Sequence, residues 1–164
     1  MKKTIVLLVF MASVSGAIAQ LKAKTTCPAF EVDILNGKVN GLVKASWTIA
    51  EIKVRIPCFT SAEEEGPTAK CGGGVYYKDK DISFFTQRDY IEIGPKFKGK
   101  LSLPLFGAPR NGMFKWFGNP KIKDTNWDAF QMSYGTLILY YNAAKKVNKI
   151  QFSTRQTEEI NLCE

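Results

Sequence analysis

The sequence predicts an α+β protein, built mainly of antiparallel β-sheet with two short helices. Two observations predict it: short runs in which apolar and polar residues alternate between turn residues, and two short segments at helical spacing that stop at Pro57 and Pro120. Alternation is typical of half-buried strands, whereas spacings of three and four residues place side chains on one helix face.

The first nineteen residues have the three parts of a cleavable signal peptide. Lys2 and Lys3 give a positive start, residues 4–14 are almost wholly apolar, and the triplet Ala-Ile-Ala at 17–19 has the small side chains that signal peptidase needs. A membrane-spanning helix needs about 20 apolar residues, more than this run supplies. We therefore expect cleavage after residue 19, one mature domain over residues 20–164 without a transmembrane segment, and a periplasmic or secreted product.

The strands and helix of the first half, about residues 30–95, follow one another closely. Alternation over residues 30–35 predicts a strand, and Asn36-Gly37 predicts a two-residue turn into a returning arm. Thr48 and Glu51 have the spacing of a capping box, which predicts a helix that runs to Ile56. The remaining segments are predicted as a loop over residues 61–74 and strands over residues 75–77, 82–85 and 90–93.

The second half, about residues 101–162, has a similar order of elements. A strand over residues 101–106 contains Pro104, which is tolerated at a sheet edge or bulge. A short helix follows, with Met113, Trp116 and Phe117 on its buried face. A loop over residues 121–126 and strands over residues 130–134, 136–141 and 147–152 complete this half. The shared order predicts two tandem repeats, each of one helix and three strands.

Three motifs of the second half carry a resemblance to known modules. The run Met113-Phe-Lys-Trp-Phe-Gly-Asn-Pro is a short helix that ends in G-x-P, and an aromatic strand follows it. The runs Leu137-Ile-Leu-Tyr-Tyr-Asn and Lys146-Val-Asn-Lys-Ile then form a hairpin. This pattern resembles the secreted repeat modules of the β-lactamase inhibitor protein and of the SmpA/OmlA envelope lipoproteins. The resemblance implies helices laid on an antiparallel sheet and a role in binding other envelope proteins.

The four cysteines predict two disulfide bonds, because an exported chain meets an oxidising compartment. A zinc site is the alternative, but zinc-binding cysteines usually come as closely spaced pairs. The positions of the cysteines in the chain favour two pairs. Cys58 and Cys71 flank a polar, glycine-rich loop, so that a Cys58–Cys71 bond would close its base, and a Cys27–Cys163 bond would join the two ends of the mature chain.

The charge of the chain favours acidic partners. The formal net charge is +8, and removal of Lys2 and Lys3 lowers it to +6. Export argues against nucleic acid as the partner, and no nucleic-acid-binding motif occurs. The densest basic run, residues 96–100, is interpreted as a solvated linker. We expect an envelope or extracellular protein of acidic character as the partner.

The absence of histidine restricts the catalytic chemistry of the chain. It excludes Ser-His-Asp and Cys-His catalysis and the usual imidazole metal sites. Asp79, Asp81, Asp89 and Glu92 could supply a pair of catalytic carboxylates, but three of them lie in predicted turns or charged links. We therefore expect a non-enzymatic protein with no cofactor and no metal site.

Aromatic side chains beside basic ones mark the candidate binding residues, because binding hot spots favour this combination. Phe114 lies off the apolar helix stripe and is expected to be exposed. In the pairs Tyr76–Tyr77 and Tyr140–Tyr141 one ring should point inward and the other outward. The candidates for partner binding are Arg110, Phe114, Lys115, Tyr140 and Tyr141.

These observations rank three classes of function. The first is an exported, non-enzymatic protein-binding module of the bacterial envelope, of inhibitor or assembly-factor type. The second is a carrier that encloses a small ligand, and the third is a histidine-free hydrolase of envelope polymers. A large apolar pocket would favour the carrier, two convergent acids the hydrolase, and a face bearing Phe114, Arg110 and a tyrosine the protein-binding module.

Overall fold

The structure is a computed structural model that describes residues 27–163, so the predicted signal peptide lies outside the described residues. The elements are β1 (Glu31–Asp33), β2 (Lys38–Val39), α1 (Ile49–Arg55), β3 (Ser61–Glu63), β4 (Gly74–Tyr77), β5 (Ile82–Phe85), β6 (Tyr90–Ile93), β7 (Lys100–Leu101), α2 (Phe114–Phe117), β8 (Ile122–Lys123), β9 (Trp127–Met132), β10 (Gly135–Tyr141) and β11 (Val147–Ser153). The predicted α+β class, with mainly antiparallel sheet and two short helices, is confirmed.

The main sheet has eight antiparallel strands in the order β3-β4-β5-β6-β11-β10-β9-β8. Each half of the chain supplies four consecutive strands, one more than predicted, and β6 pairs with β11 to join them. The additional strands, β3 and β8, lie within segments that were predicted as loops. They have three and two residues, which is too short for an alternating pattern to show in the sequence. The duplication of the two halves stays a prediction.

A second, three-stranded sheet has the order β2-β1-β7. The predicted hairpin forms, but four residues (34–37) connect its strands because Asp33 pairs with Lys38. The Asp33 carboxylate accepts hydrogen bonds from the backbone N–H groups of Leu35 and Asn36 at 3.1 and 3.2 Å, which stabilises the longer turn. The strand predicted over residues 101–106 is reduced to β7, which runs parallel to β1.

Helix α1 starts and ends where the sequence predicts. The Thr48 hydroxyl accepts a hydrogen bond from the Glu51 backbone N–H at 3.3 Å, and the Glu51 carboxylate accepts one from the Thr48 N–H at 2.8 Å. The hydrogen bond to the Thr48 backbone, followed by that to its side chain, holds the pKa of Glu51 below its ordinary value. The buried Tyr77 hydroxyl donates to the Ile56 carbonyl at 2.6 Å and so fixes the end of the helix against β4.

One core of buried side chains lies between one face of the main sheet, helix α1 and the small sheet. Alternate residues of each long strand point into it, as strand geometry requires. The inward tyrosines of the two pairs are Tyr77 and Tyr141, and their neighbours Tyr76 and Tyr140 are half-buried on the opposite face, which confirms that prediction. The core-facing strand residues include Val75, Tyr77, Ile82, Phe84, Ile91, Ile93, Leu137, Leu139, Ile150 and Phe152.

The observed helix α2 differs from the prediction at one residue of its buried face, Trp116. Met113 is buried and Phe117 packs on Phe130 with 5.3 Å between ring centroids, but the Trp116 side chain is 42% exposed. Phe117 contacts the sheet, whereas Trp116 lies edge-on against the Phe117 ring, 6.2 Å between ring centroids, at the margin of that contact. Phe114 is 61% exposed, as predicted.

The predicted disulfide pairing is wrong. The structure joins Cys27 to Cys58 and Cys71 to Cys163, with Cα–Cα distances of 5.3 and 5.5 Å. Cys58 and Cys71 each lie three residues before an antiparallel strand, β3 and β4, and therefore at opposite ends of that pair of strands. The pairs Cys58–Cys71 and Cys27–Cys163 are thus excluded by the formation of β3, which the sequence did not predict.

We expect disulfide mapping to recover the observed pairs. Trypsin places the four cysteines in four different peptides, residues 25–38, 56–70, 71–78 and 156–164. Mass spectrometry of a non-reduced digest should find residues 25–38 linked to 56–70, and residues 71–78 linked to 156–164. A cross-link between 56–70 and 71–78 would contradict this topology.

We expect Gly37→Ala to destabilise the protein more than Gly41→Ala. Both glycines have positive φ angles, +60° and +72°, so both substitutions strain the backbone by roughly 1 to 2 kcal/mol. A Cβ at position 37 would also lie 2.5 Å from the ring of Tyr134, whereas one at position 41 meets nothing within 4 Å. Urea unfolding should show about 1 to 3 kcal/mol of additional loss for Gly37→Ala, the range for overpacking. Equal losses for the two variants would show that the contact with Tyr134 is unimportant.

Candidate functional site

An open surface groove of about 600 Å³ lies beside helix α2 and is here called the α2 groove. Its walls come from the segment that enters α2, from the β8–β9 hairpin and from the turn between β10 and β11. The apolar lining residues are Pro109, Met113, Phe114, Pro120, Phe130 and Ala144, and the polar ones include Arg110, Asn111, Asn119, Lys123, Asp128 and Lys145.

A buried ion pair forms the base of the α2 groove. Asp128 points from β9 toward the core and is only 3% exposed. Its carboxylate accepts hydrogen bonds from Arg110 Nε at 2.9 Å, from Arg110 Nη2, and from the Tyr141 hydroxyl at 2.9 Å. The Arg110 guanidinium also lies over the Tyr141 ring, 4.8 Å from its centroid. This cluster, Arg110–Asp128–Tyr141, is called the arginine lock below.

The remaining donors of Arg110 hold the loop between β8 and β9. Nη2 donates to the Asp124 carbonyl at 2.6 Å and Nη1 donates to the Thr125 carbonyl at 3.1 Å. Arg110 therefore connects the segment before α2 to two separate parts of the main sheet. The hydrogen bond to Asp128 raises the pKa of Arg110 above its ordinary value, so the guanidinium stays charged. Burial, with the hydrogen bond to Asp128 next, raises the pKa of Tyr141.

The predicted candidates Arg110 and Tyr141 are thus brought together, but in a structural role. Both carboxylate oxygens of Asp128 accept hydrogen bonds within this cluster. The Arg110 guanidinium donates to four residues, Asp124, Thr125, Trp127 and Asp128. Neither side chain is free to bind a partner directly. Their position at the base of the groove makes them positioning residues for its walls.

Helix α2 presents the exposed part of the site. Phe114, Lys115 and Trp116 point away from the sheet, while Met113 and Phe117 anchor the helix on it. The helix ends at Gly118, whose φ of +72° turns the chain toward the wall of the groove. Two lysines stand on the far side of the groove, Lys123 and Lys145, and Lys145 Nζ donates to the Thr125 carbonyl at 3.0 Å.

Tyr140 lies apart from the other candidates, on the opposite face of the sheet. Its hydroxyl donates to Gln151 Oε1 at 3.0 Å, and Gln151 Nε2 donates to Glu92 Oε2 at 2.7 Å. Lys149 Nζ closes this network, 3.9 Å from the centroid of the Tyr140 ring and 3.4 Å from the Glu92 carboxylate. The network bridges β10, β11 and β6, and Gln151 is completely buried within it.

The acidic residues considered for catalysis are dispersed over the fold. Asp79 and Asp81 lie in the turn between β4 and β5, whereas Asp89 lies in the turn between β5 and β6 at the other end of the sheet. Asp81 accepts a hydrogen bond from the Lys96 backbone N–H at 2.7 Å, and Asp89 accepts one from the Thr154 hydroxyl at 2.6 Å. Glu92 belongs to the network around Gln151 on the face of the sheet opposite the main core.

Metal-binding clusters and membrane-spanning helices are two further features that bear on function. Among residues 27–163, no group of three or more acidic, cysteine or histidine side chains is placed to hold a metal ion. Over the same range, no helix has the length and apolar character that crossing a bilayer requires.

Sequence reasoning missed three contributors to the site: Trp116, Asp128 and the lysine pair Lys123 and Lys145. The burial of Asp128 could have been predicted from the sequence. It occupies every second position with Phe130 and Met132 in one strand, so its side chain should point to the same, inward face. A carboxylate that is buried in this way needs a cation or hydrogen-bond donors beside it. Lys123 and Lys145 are far apart in the chain and have no such signal.

We expect Arg110→Met to destabilise the protein strongly, because it leaves the Asp128 carboxylate buried without its cation. Removal of one partner of a buried ion pair costs about 3 to 5 kcal/mol, measurable by urea unfolding. The matched control is Lys115→Met, an exposed change on α2 that should alter stability by no more than about 0.5 kcal/mol. Similar small effects for both variants would mean that the arginine lock does not hold the groove.

Comparison with known proteins identified no relative. No family model matches the chain, and neither a curated protein nor a solved structure is significantly similar to it. The resemblance of the second half to envelope repeat modules therefore stays a prediction.

Proposed function

We propose that this chain is a non-enzymatic protein-binding module that acts in the bacterial envelope or outside the cell and binds its partner through the α2 groove. Two disulfide bonds, Cys27–Cys58 and Cys71–Cys163, indicate an oxidising compartment outside the cytoplasm. The signal-peptide pattern of residues 1–19 supports export to the periplasm or beyond. An inhibitor or an assembly factor is the type of binder that the sequence resemblance favours.

The observation that carries the proposal is the exposure of two large aromatic side chains beside the groove. Phe114 and Trp116 are 61% and 42% exposed on a helix that is firmly held by Met113 and Phe117. Exposed aromatics on a rigid element lose little entropy on binding and are typical of hot spots. The groove next to them can receive a side chain of the partner, with Phe130 and Met113 as its apolar floor.

The charge of the groove indicates the chemistry of the partner. Lys123 and Lys145 line one wall, and Lys115 lies exposed on α2. The only carboxylate among the lining residues, Asp128, is neutralised by Arg110. A basic wall around an apolar floor is complementary to a segment that carries an apolar anchor flanked by acidic residues.

The same geometry favours a protein partner over the two alternative functions. The α2 groove is open to solvent along its length, whereas a carrier would enclose its ligand. A hydrolase of envelope polymers would need two carboxylates converging on one cleft. Glu92 and Asp128 lie on opposite faces of the sheet, and each has its own cationic neighbour, Lys149 and Arg110.

Photo-crosslinking in the producing cell tests the proposal. A photoreactive phenylalanine analogue replaces Phe114 in the full-length chain, and a second version carries it at Val54, which is 82% exposed on α1. We expect one dominant protein adduct from position 114 that is missing from position 54, with the captured protein identified by mass spectrometry.

The identified partner is then purified, and its affinity for variants is measured. Phe114→Ala and Trp116→Ala should each weaken binding roughly 30-fold or more, the effect of truncating a hot-spot aromatic. Leu35→Ala, an exposed apolar change on the β1–β2 turn, is the matched control and should leave the affinity unchanged. Equal adducts from both crosslinker positions would contradict the proposal. So would an affinity for the partner that is unchanged in Phe114→Ala and Trp116→Ala.

A further inference from the structure

The antiparallel order of the main sheet gathers four loops at one of its ends. They are the turn between β4 and β5 (residues 78–81), the segment after β6 (94–98), the loop between β8 and β9 (124–126) and the turn between β10 and β11 (142–146). We call this end of the sheet the lysine end. The turns between β5 and β6 and between β9 and β10 lie at the other end, with the loop between β3 and β4.

The lysine end carries a concentrated positive charge. Its four loops contain six lysines and three aspartates, a net charge of +3: Lys78, Lys80, Lys96, Lys98, Lys145 and Lys146 against Asp79, Asp81 and Asp124. The three loops at the opposite end contain Lys70 and Arg88 against Glu64, Glu65 and Asp89, a net charge of −1. The excess charge of the sheet loops is therefore confined to one end.

Backbone hydrogen bonds hold two of these loops together, the β4–β5 turn and the segment after β6. The Lys98 N–H donates to the Lys80 carbonyl at 3.1 Å, and the Gly94 N–H donates to the Asp81 carbonyl at 2.9 Å. The run that the sequence indicates as a solvated linker is thus held against the β4–β5 turn. The two aspartates of this turn are engaged locally, Asp79 with Lys80 at 3.4 Å and Asp81 with the Lys96 N–H at 2.7 Å. Lys78, Lys96 and Lys98 remain exposed to solvent.

We infer that the lysine end docks on a membrane leaflet that contains anionic phospholipids. All six cations are lysines, whose compact charges attract phosphates without the fixed bidentate geometry that arginine offers to a single carboxylate. Lysines spread over three loops, residues 78–81, 94–98 and 142–146, suit a diffuse array of phosphates better than one peptide. Clustered lysines contribute about 1 kcal/mol each near an anionic leaflet. This inference goes beyond the proposed function, because it concerns a second ligand and, apart from Lys145, other residues.

Vesicle co-sedimentation of the purified protein tests the inference. The protein is mixed with vesicles of phosphatidylcholine alone or of phosphatidylcholine with phosphatidylglycerol, at low and at high salt. We expect sedimentation with the anionic vesicles only, and its loss at high salt because ions screen exposed charges. In the triple variant Lys78→Gln, Lys96→Gln and Lys98→Gln, binding should fall roughly 100-fold, since each lysine near an anionic surface strengthens binding about fivefold.

The matched control removes the same charge elsewhere. Lys38→Gln, Lys44→Gln and Lys53→Gln together lower the net charge by three away from the lysine end; Lys38 and Lys44 lie beside the β9–β10 turn and Lys53 lies 3.5 Å from Glu64. This variant should retain most of the vesicle binding. Equal losses in both triple variants, or no binding to anionic vesicles, would overturn the inference. Binding to a soluble polyanion such as heparin but not to vesicles would also overturn it.

None of the six substituted lysines lines the α2 groove. Failure of the vesicle experiment therefore leaves the crosslinking result at Phe114 unaffected, and the reverse also holds.

Discussion

The pairing of β6 with β11 is the constraint on which the rest of the structure depends. It aligns Ile93 with Ile150 and Ile91 with Phe152, and all four side chains are completely buried. On the opposite face the same register aligns Glu92 with Gln151, whose Nε2 donates to Glu92 Oε2 at 2.7 Å. Without this pairing the chain would consist of two four-stranded meanders, each with an exposed inner edge. Because the paired strands are about 60 residues apart, a large loop-closure entropy must be overcome before the core can form.

Once the sheet exists, a single strand positions the candidate site. Two successive inward side chains of β9 hold the segment around α2: Phe130 contacts Phe117, and Asp128 binds Arg110. The first contact is apolar and fixes the helix, while the second is ionic and fixes both the chain before the helix and the β8–β9 loop. The exposed side of α2 is left without a structural role of its own. Phe114 and Trp116 can therefore respond to binding requirements while Met113 and Phe117 maintain the fold.

The sequence predicted the features whose causes are local. The capping box of α1 involves residues three apart, and the long strands show alternation or a run of β-forming residues within six or seven positions, so both were found. The disulfide pairing depends on β3, a three-residue strand formed by pairing with β4 rather than by its own pattern. The exposure of Trp116 depends on where Phe117 meets Phe130 of β9, a residue distant from it in the chain. The groove and the lysine end both join segments from distant parts of the chain, and only the strand order reveals them.

The two proposed surfaces are related by geometry, since the α2 groove opens at the lysine end. Lys145 and Ala144, which line the groove, belong to the same β10–β11 turn that contributes Lys145 and Lys146 to the lysine end. A protein docked on a leaflet through its lysines would hold Phe114 and Trp116 close to the headgroups. The partner segment would then have to be presented near the membrane surface, as in a membrane protein with a short acidic loop. A basic wall serves both associations, because it attracts phosphates and carboxylates alike, and the exposed aromatic pair then supplies the selectivity that charge alone lacks.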